Sequence, residues 1–586
     1  MVWNRRFLRV VALGAVFALG LAGTALAATY KWNGNGTGGN ANKWNANDNW
    51  DPIPSGTPGH PADGDTAIIE TGTVTIDDAT ALEVKVLELG DGVDLTLSPT
   101  SLTIKNGELR ALGNATVDVQ VTNGLVFTDP GEIVVANGKT LTLKSTDDLT
   151  INATVTGNLN LEVPAVKTTN LTKNVNGTVG FESSSNGTAH LILANGVHVD
   201  AVDFKTADAD NKFFDLKLEG NAEIGTLSFA KTDTGLKVNS TGGADQKNTI
   251  HFLRPADDAT LKVDGARSLV VRDGTKGVKW KAEMVGLGSS LKVRSAGLLA
   301  GEVKATFNAD SVLTLPSGAY PKLTLVSKRD DSAIVVDFAD KSPVLTVGKL
   351  DLTKSMIMKV PATWKTAPKA GDTITLLQAN TVAGVEKVEG DPDNEPNGYW
   401  TVAPLDSTNK ELVLTADKAF PLPELVAKMT ASGNKRSVNV TVSGDVKVLA
   451  GSWGAELLSV LAPDSVKSVT LKAGATDKAA TFEVEVGAGF TSGTLRVYAK
   501  NQAAPNFAGF VDVDLNAVPG GGGGGTPGTP GTPAAPSIEP NSWETTSISA
   551  PDAQGNVTVQ LAATLKLEGT PKSLDVVASG MKEKPK

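Results

Sequence analysis

The residues best suited to acid–base or metal chemistry are rare in this sequence. Its 586 residues include no cysteine, so thiol catalysis, disulfide bonds and cysteine-containing zinc sites are excluded. No two histidines have the i, i+4 spacing that places a pair around zinc on one helix face, and the two nearest are eight residues apart. We therefore predict no metal site. The histidines are His60, His190, His198 and His251.

Carboxylates are the other candidates, because enzymes that cleave polysaccharides use converging acids, and lyases add a lysine or arginine base. Acidic residues cluster in segments 203–215 and 257–264, the second of which lies near Arg267 and Arg272. A chain with 64 acidic residues also forms such clusters on solvated turns, so the sequence leaves open whether either forms a site. We predict no catalytic residue and no cofactor. The clustered acids are Asp203, Asp208, Asp210 and Asp215, and separately Asp257, Asp258 and Asp264.

An acidic loop at residues 391–398 spaces its oxygen atoms like the start of a calcium-binding loop. Such a loop has glycine at its sixth position and glutamate at its twelfth, where this chain has Pro396 and Val402. We expect a plain acidic loop without a metal ion.

Residues 1–27 have the three parts of an export signal. Arg5, Arg6 and Arg9 precede an uncharged apolar run at 10–22, and an Ala-Leu-Ala sequence at 25–27 supplies a cleavage site. The apolar run is shorter than the roughly 20 residues that span a bilayer, and no later stretch is long and apolar enough. We predict a mature chain that begins at Ala28 and has no transmembrane span.

The net charge of the chain indicates which classes of molecule the protein could bind. The formal net charge is −10, and it becomes −13 when the three arginines of the leader are removed. Nucleic acid binding depends on phosphate neutralisation by basic residues, so a dispersed negative charge predicts no nucleic acid partner. The same negative net charge argues against electrostatic binding to anionic lipids.

Residues 28–66 are rich in tryptophan, asparagine and glycine. Trp32, Trp44 and Trp50 stand within 19 residues. We expect them to cap the open end of a β-stack, since an uncovered end would pair with other chains. The alternative is a platform on which sugar rings stack.

Short alternating runs of Val, Leu, Ile and Thr fill residues 67–419, as in 73–76, 84–89 and 141–143. Asn-Gly pairs separate many of these runs, and no helical pattern comes between them. Two architectures fit this pattern: a series of antiparallel sandwiches, or a parallel β-helix with about three short strands per coil. Strands of three or four residues favour the β-helix, because the coils above and below complete the core.

Two short motifs stand near the two ends of residues 29–418. The first comprises Trp44, Asn49, Trp50, Pro58 and 64–69, and the second comprises 370–377, Gly384, Trp400 and 411–414. Together they resemble the β-helical passenger regions of bacterial autotransporter-like surface proteins. The resemblance covers about 29–418 and implies a right-handed parallel β-helix rather than a chemistry. An autotransporter would end in a translocator barrel, and we expect none here.

The sequence of residues 420–586 predicts smaller β-rich modules. Alternating runs at 420–518 predict an immunoglobulin-like β-sandwich, which takes about seven strands in 100 residues. The Gly/Thr/Pro-rich segment 519–536 is typical of a linker. The final 50 residues, 537–586, predict a partial β-rich module.

Together these features predict an all-β, exported, non-catalytic structural or adhesin-like protein at the cell surface or in the medium, with the periplasm not excluded. A cell-surface polymer, a polysaccharide or a protein is a possible ligand. One alternative is a self-assembling surface-layer protein, and another is a polysaccharide-degrading β-helix enzyme. The sequence does not specify the oligomeric state or the mode of surface attachment.

Overall fold

Alternation of buried and exposed side chains characterises most strands of this chain. The computed structural model describes residues 27–516, without 53–59, 78–80, 99–100, 123, 206–211, 231–234, 244–245, 340–341, 392–397, 461–465, 488–489 and 491–492, and beyond them 537–538, 544–548, 559–562 and 565–566. The leader, the linker, and most of the acidic loop and of the last module therefore lie outside the described residues.

The described chain contains no α-helix, and short 3-10 turns lie at Gly38–Asn40, Asn47–Asn49, Gly297–Leu299 and Ala450–Ser452. Among these residues no helix is long and apolar enough to cross a membrane. Contacts divide the chain into two compact units, Met1–Val518 and Pro519–Lys586.

The first unit begins with short strands. They are β1 (Thr29–Trp32), β2 (Trp50–Asp51), β3 (Thr66–Ile69), β4 (Thr73–Ile76), β5 (Leu82–Leu89), β6 (Val93–Leu97), β7 (Leu102–Ala111), β8 (Ala115–Val119), β9 (Leu125–Phe127), β10 (Glu132–Val135), β11 (Thr140–Ser145), β12 (Leu149–Ile151), β13 (Thr154–Thr156), β14 (Asn158–Val163), β15 (Thr168–Leu171) and β16 (Val175–Ser183).

Longer strands dominate the following coils. They are β17 (Gly187–Leu193), β18 (His198–Phe204), β19 (Lys212–Glu219), β20 (Glu223–Phe229), β21 (Leu236–Thr241), β22 (Asn248–Pro255), β23 (Ala259–Asp264), β24 (Ser268–Gly274), β25 (Trp280–Met284), β26 (Ser290–Val293), β27 (Val303–Phe307), β28 (Val312–Leu315), β29 (Gly318–Ser327), β30 (Ser332–Val336), β31 (Phe338–Ala339), β32 (Leu345–Leu352), β33 (Met356–Lys359), β34 (Thr363–Trp364), β35 (Thr373–Gly384), β36 (Val388–Gly390), β37 (Trp400–Ala403) and β38 (Glu411–Ala416).

These strands form a parallel β-solenoid of about 13 turns. The registers place Leu87 beside Leu109, Leu109 beside Ile133, and Ile133 beside Val155, all fully buried. Each aliphatic side chain thus stacks on the equivalent residue of the next coil, about 4.8 Å away. The predicted β-helix is confirmed at this level, and the antiparallel alternative for residues 67–419 is wrong because successive coils pair in parallel.

The number of strands per coil changes along the solenoid. Between Leu125 and Ser145, β9, β10 and β11 are separate segments of one winding, as the sequence predicts. In β16, Val175 pairs with β13 whereas Val179 pairs with β14, and the register shifts between Val175 and Thr178. One bent strand therefore replaces two short ones, and later coils consist mostly of two strands.

Antiparallel strands close both ends of the solenoid. At the start, β2 runs antiparallel to β1, and Trp32, Trp44 and Trp50 form a buried cluster with ring centroids 5.2 Å and 4.7 Å apart. At the far end, β38 runs antiparallel to β35 and to β37. Since all three tryptophans are buried, none of them presents a ring face to a sugar.

The rest of the first unit is a β-sandwich with its own apolar core around Phe482, Val497 and Leu515. The first sheet has the order β39-β40-β43-β42 and the second contains β45-β44-β41. Solenoid strand β34 extends the second sheet by pairing in parallel with β45. The strands are β39 (Glu424–Ser432), β40 (Lys435–Ser443), β41 (Gly454–Val460), β42 (Val466–Leu471), β43 (Ala479–Val486), β44 (Gly493–Lys500) and β45 (Ala508–Asp514).

The second unit contains short antiparallel pairs in its described part. Strand β46 (Ser537–Ile538) pairs with β49 (Leu565–Lys566), and β47 (Glu544–Ile548) pairs with β48 (Val559–Ala562).

Candidate functional site

A groove of about 850 Å³ lies between the outer surface of the solenoid and the sandwich. Its walls include Glu456 of β41 and Tyr498 of β44, and its floor is a column of outward-facing side chains from successive coils. We call it the junction groove. The registers of β20, β22, β24, β26, β28, β30 and β33 build the floor from Glu223, Thr249, Val270, Lys292, Thr314, Val335 and Lys359.

The floor is long because each of its residues comes from a different coil. Glu223 and Lys359 are separated by six strand-to-strand steps, which amount to roughly 29 Å. Residues 249, 270, 292 and 314 follow one another at 21 or 22 residues, the length of a coil in this region. A groove of this shape suits an extended molecule better than a compact one.

Charged side chains in the middle of the groove pair with one another. Lys292 contacts Asp337, and Arg294 donates to the same carboxylate over 3.1 Å from Nη1. From Nε, Arg294 also reaches Glu456 across the groove at 2.5 Å. Burial lowers the pKa of the Lys292 ammonium below its ordinary value, although Asp337 opposes the shift.

A second polar cluster lies on β18, β20 and β22. A Glu223 carboxylate oxygen lies 3.8 Å from Nδ1 of His198 and 3.4 Å from Nε2 of His251, and Nε2 of His198 lies 3.1 Å from Asp200. The contact with Glu223, followed by that with Asp200, raises the pKa of His198. The same histidines hold the pKa of Glu223 far below its ordinary value.

The arrangement offers hydrogen bonds and charge. Four charged side chains of the groove form ion pairs with one another, namely Lys292, Arg294, Asp337 and Glu456. Within the described ranges no group of three or more His, Asp or Glu side chains is placed to hold a metal ion. Arg272 also lines the groove, and its positive charge contributes to the lowered pKa of Glu223.

The first acid cluster of the sequence does not assemble where it is described. Asp203 lies on β18, whereas Asp215 lies on β19 in the other sheet, where it faces His190 at 3.5 Å. Asp208 and Asp210 lie outside the described residues.

The second acid cluster also separates. Asp258 pairs with Lys281 at 3.1 Å, while Asp264 pairs with Lys237 at 2.9 Å. The two arginines near this cluster are not brought together. Arg267 donates to the carbonyl of Gly242, whereas Arg272 lines the junction groove. Asp257 accepts a hydrogen bond from the backbone N–H of Lys279 at 3.3 Å.

The remaining histidine is structural. His60 is buried, and its Nδ1 lies 3.0 Å from the carbonyl oxygen of Pro61.

Sequence reasoning missed the junction groove residues Lys292, Arg294, Asp337 and Glu456. They are far apart in the chain and belong to no cluster of similar residues. The spacing of one coil, which separates Val270, Lys292 and Thr314, is the signal that could have linked the floor positions.

Comparison of the chain with protein-family models, with curated proteins and with solved structures returned no match.

Proposed function

We propose that this protein is exported and acts outside the cytoplasm as a non-catalytic structural or adhesin-like protein, at the cell surface or in the medium. The observation that carries the proposal is the solenoid, whose parallel ladders run without interruption between two antiparallel caps. Thirteen strands stacked about 4.8 Å apart span roughly 58 Å, which suits a stiff spacer. Such a function needs no preorganised reaction centre.

The start of the folded chain supports export with removal of the leader. The amide nitrogen of Ala28 lies 3.0 Å from Oδ1 of Asp65, and Thr66 donates to the carbonyl of Ala28 at 2.8 Å. Cleavage after Ala27 would turn this amide into an ammonium group beside a carboxylate. The new terminus would then hold the first strand, β1, in place.

We further propose that the solenoid is a right-handed β-helix like those of autotransporter-like surface proteins, and that the sandwich is immunoglobulin-like. The order β39-β40-β43-β42 and β41-β44-β45 corresponds to the A-B-E-D and C-F-G order of a constant-type immunoglobulin domain. The sandwich would present a binding surface on the side of the spacer.

Two experiments on the purified mature chain test this proposal against its alternatives. In light scattering and electron microscopy we expect a monodisperse species, whereas ordered two-dimensional sheets would support a self-assembling surface-layer protein. Incubation with a panel of acidic and neutral polysaccharides should release no new reducing ends and no unsaturated products. Release of either would support a polysaccharide-degrading enzyme instead.

A further inference from the structure

Lysines gather on one outward face of the solenoid, although the whole chain is acidic with a formal charge of −10. They surround a second groove, of about 420 Å³, on the sheet that contains β25, β27, β29 and β32. We call it the lysine groove. The lysines that line it are Lys279, Lys281, Lys304, Lys322 and Lys349.

The strand register places three of these lysines in one column across the strands. Lys281 pairs in register with Lys304, Lys304 with Thr324, and Thr324 with Lys349. Lys322 lies in the bulge of β29, where the register shifts between Tyr320 and Thr324. Because neighbouring strands are about 4.8 Å apart, the row from Lys281 to Lys349 is roughly 14 Å long.

A close backbone contact shapes the floor of the lysine groove. The carbonyl oxygen of Pro321 passes so near Gly348 that a Cβ there would lie 2.1 Å from it. Glycine at this position therefore lets the bulged strand β29 pack on β32. The short side chain of Thr324 leaves the middle of the row open and offers a hydroxyl group.

Only part of the positive charge is compensated. Asp258 lies 3.7 Å from Lys279 and 3.1 Å from Lys281, and Asp351 lies 3.4 Å from Lys349. In the part of the chain that the structure describes, no acidic side chain pairs with Lys304 or Lys322, both of which are exposed. Glu302 is the one carboxylate that lines the groove within these residues.

We propose that the lysine groove binds a carboxylated polysaccharide, lying across the strands along the solenoid axis. A polymer that repeats one carboxylate per sugar can place its carboxylates beside these ammonium groups, and Thr324 can bond a sugar hydroxyl. Single-stranded nucleic acids are held by exposed aromatic rings, but Trp280, the aromatic residue of this groove, is only 1% exposed. This polysaccharide would be a partner in the proposed function. The inference rests on that function in one respect, because the protein would meet such a polymer outside the cytoplasm.

The test measures binding of the mature full chain to polygalacturonate, with fully methyl-esterified polygalacturonate as the uncharged polymer. The double substitution Lys304→Glu/Lys322→Glu reverses the charge at the two lysines that have no acidic partner among the described residues. Lys85→Glu/Lys428→Glu changes the net charge equally at exposed positions away from the groove and is the matched control. Thermal melting of each variant confirms that it is folded.

We expect the groove variant to raise the dissociation constant for polygalacturonate about tenfold or more, and the control variant to change it less than about twofold. Binding should weaken as NaCl increases, because salt screens the ion pairs. Equal binding of the esterified polymer, equal loss in the control variant, or no binding by the parent protein would overturn the proposal. So would double-stranded DNA binding as tightly as polygalacturonate. Purified protein is used, so these outcomes do not depend on where the protein resides in the cell.

Discussion

The guanidinium of Arg294, directly after solenoid strand β26, lies 2.5 Å from the carboxylate of Glu456 in sandwich strand β41. Each side chain is only 18% exposed. A charge this far removed from water is costly unless a partner compensates it, so the two residues hold the solenoid and the sandwich in one arrangement. Asp337 completes the contact by accepting from Arg294 on its other side.

Removing this contact should loosen the sandwich. We expect Arg294→Ala to lower the free energy of local opening of β41 by about 1–3 kcal/mol, because Glu456 loses its charged partner in a half-enclosed site. Hydrogen exchange followed by mass spectrometry measures this opening. Asp351→Asn, which breaks the exposed Lys349–Asp351 pair, is the control and should change stability by less than about 1 kcal/mol. Equal, small effects of both substitutions would contradict the assigned role of Arg294.

The tryptophan cap should keep the solenoid from associating end to end. Trp50 is fully buried, and its Nε1 donates to the carbonyl of Trp44 at 2.8 Å. Trp50→Ala should cost about 3–5 kcal/mol and expose unpaired strand edges. Light scattering and thermal melting measure both effects. Val385→Ala alters a side chain that is 93% exposed and should change neither. A monomeric Trp50→Ala protein that melts normally would show that the cap is dispensable.

The histidine cluster predicts a pH dependence. Stabilisation by His198, whose pKa is raised in the folded protein, is complete below 6.5 and is lost as the pH rises through the raised value. Stabilisation by Glu223, whose pKa is lowered, is present above 4.5 and is lost only as the pH falls through the lowered value. Strands β18, β20 and β22 should therefore be most protected from hydrogen exchange between pH 4.5 and 6.5.

The measurement is the exchange protection factor of these strands from pH 4 to 9, corrected for the intrinsic exchange rate. His198→Gln should remove the loss of protection above pH 6.5. His190→Gln, which changes a histidine on the other sheet, should leave the profile as it is. An unchanged profile in His198→Gln would contradict the assigned coupling to Glu223.

Close packing between coils should make Gly107 intolerant of a side chain. A Cβ at this position in β7 would lie 1.8 Å from the carbonyl oxygen of Lys85 on the preceding coil. We expect Gly107→Ala to cost about 1–3 kcal/mol, seen as a lower melting temperature. Gly451→Ala, where no atom lies within 4 Å of the added carbon, should stay within about 0.5 kcal/mol of the parent. Equal melting temperatures for the two variants would refute this packing.

The solenoid could be predicted from sequence because its strands are short and alternate strictly. The runs Thr73–Ile76 and Leu102–Ala111 bury every second residue over most of their length, and such a pattern identifies the core face without knowledge of neighbours. The merging of two strands in β16 could not be predicted, since the bend depends on which strand of the preceding coil each half meets.

The candidate site could not be predicted in the same way. Residues near in sequence, such as Asp203 and Asp215, belong to different sheets, whereas residues one coil apart stand side by side. The coil length varies, for example 18 residues between Leu141 and Leu159 but 32 between Leu345 and Leu377, so no fixed period reveals the columns. Glu456 reaches Arg294 only because the sandwich folds back on the solenoid.

The central claim is that this protein works outside the cytoplasm, and one measurement tests it most directly. The full chain is produced in a bacterial host with its own leader, cells are fractionated, and the N-terminus is identified by mass spectrometry. We predict protein that begins at Ala28 in the extracytoplasmic fractions. Protein that retains residues 1–27 and remains in the cytoplasm would contradict the account.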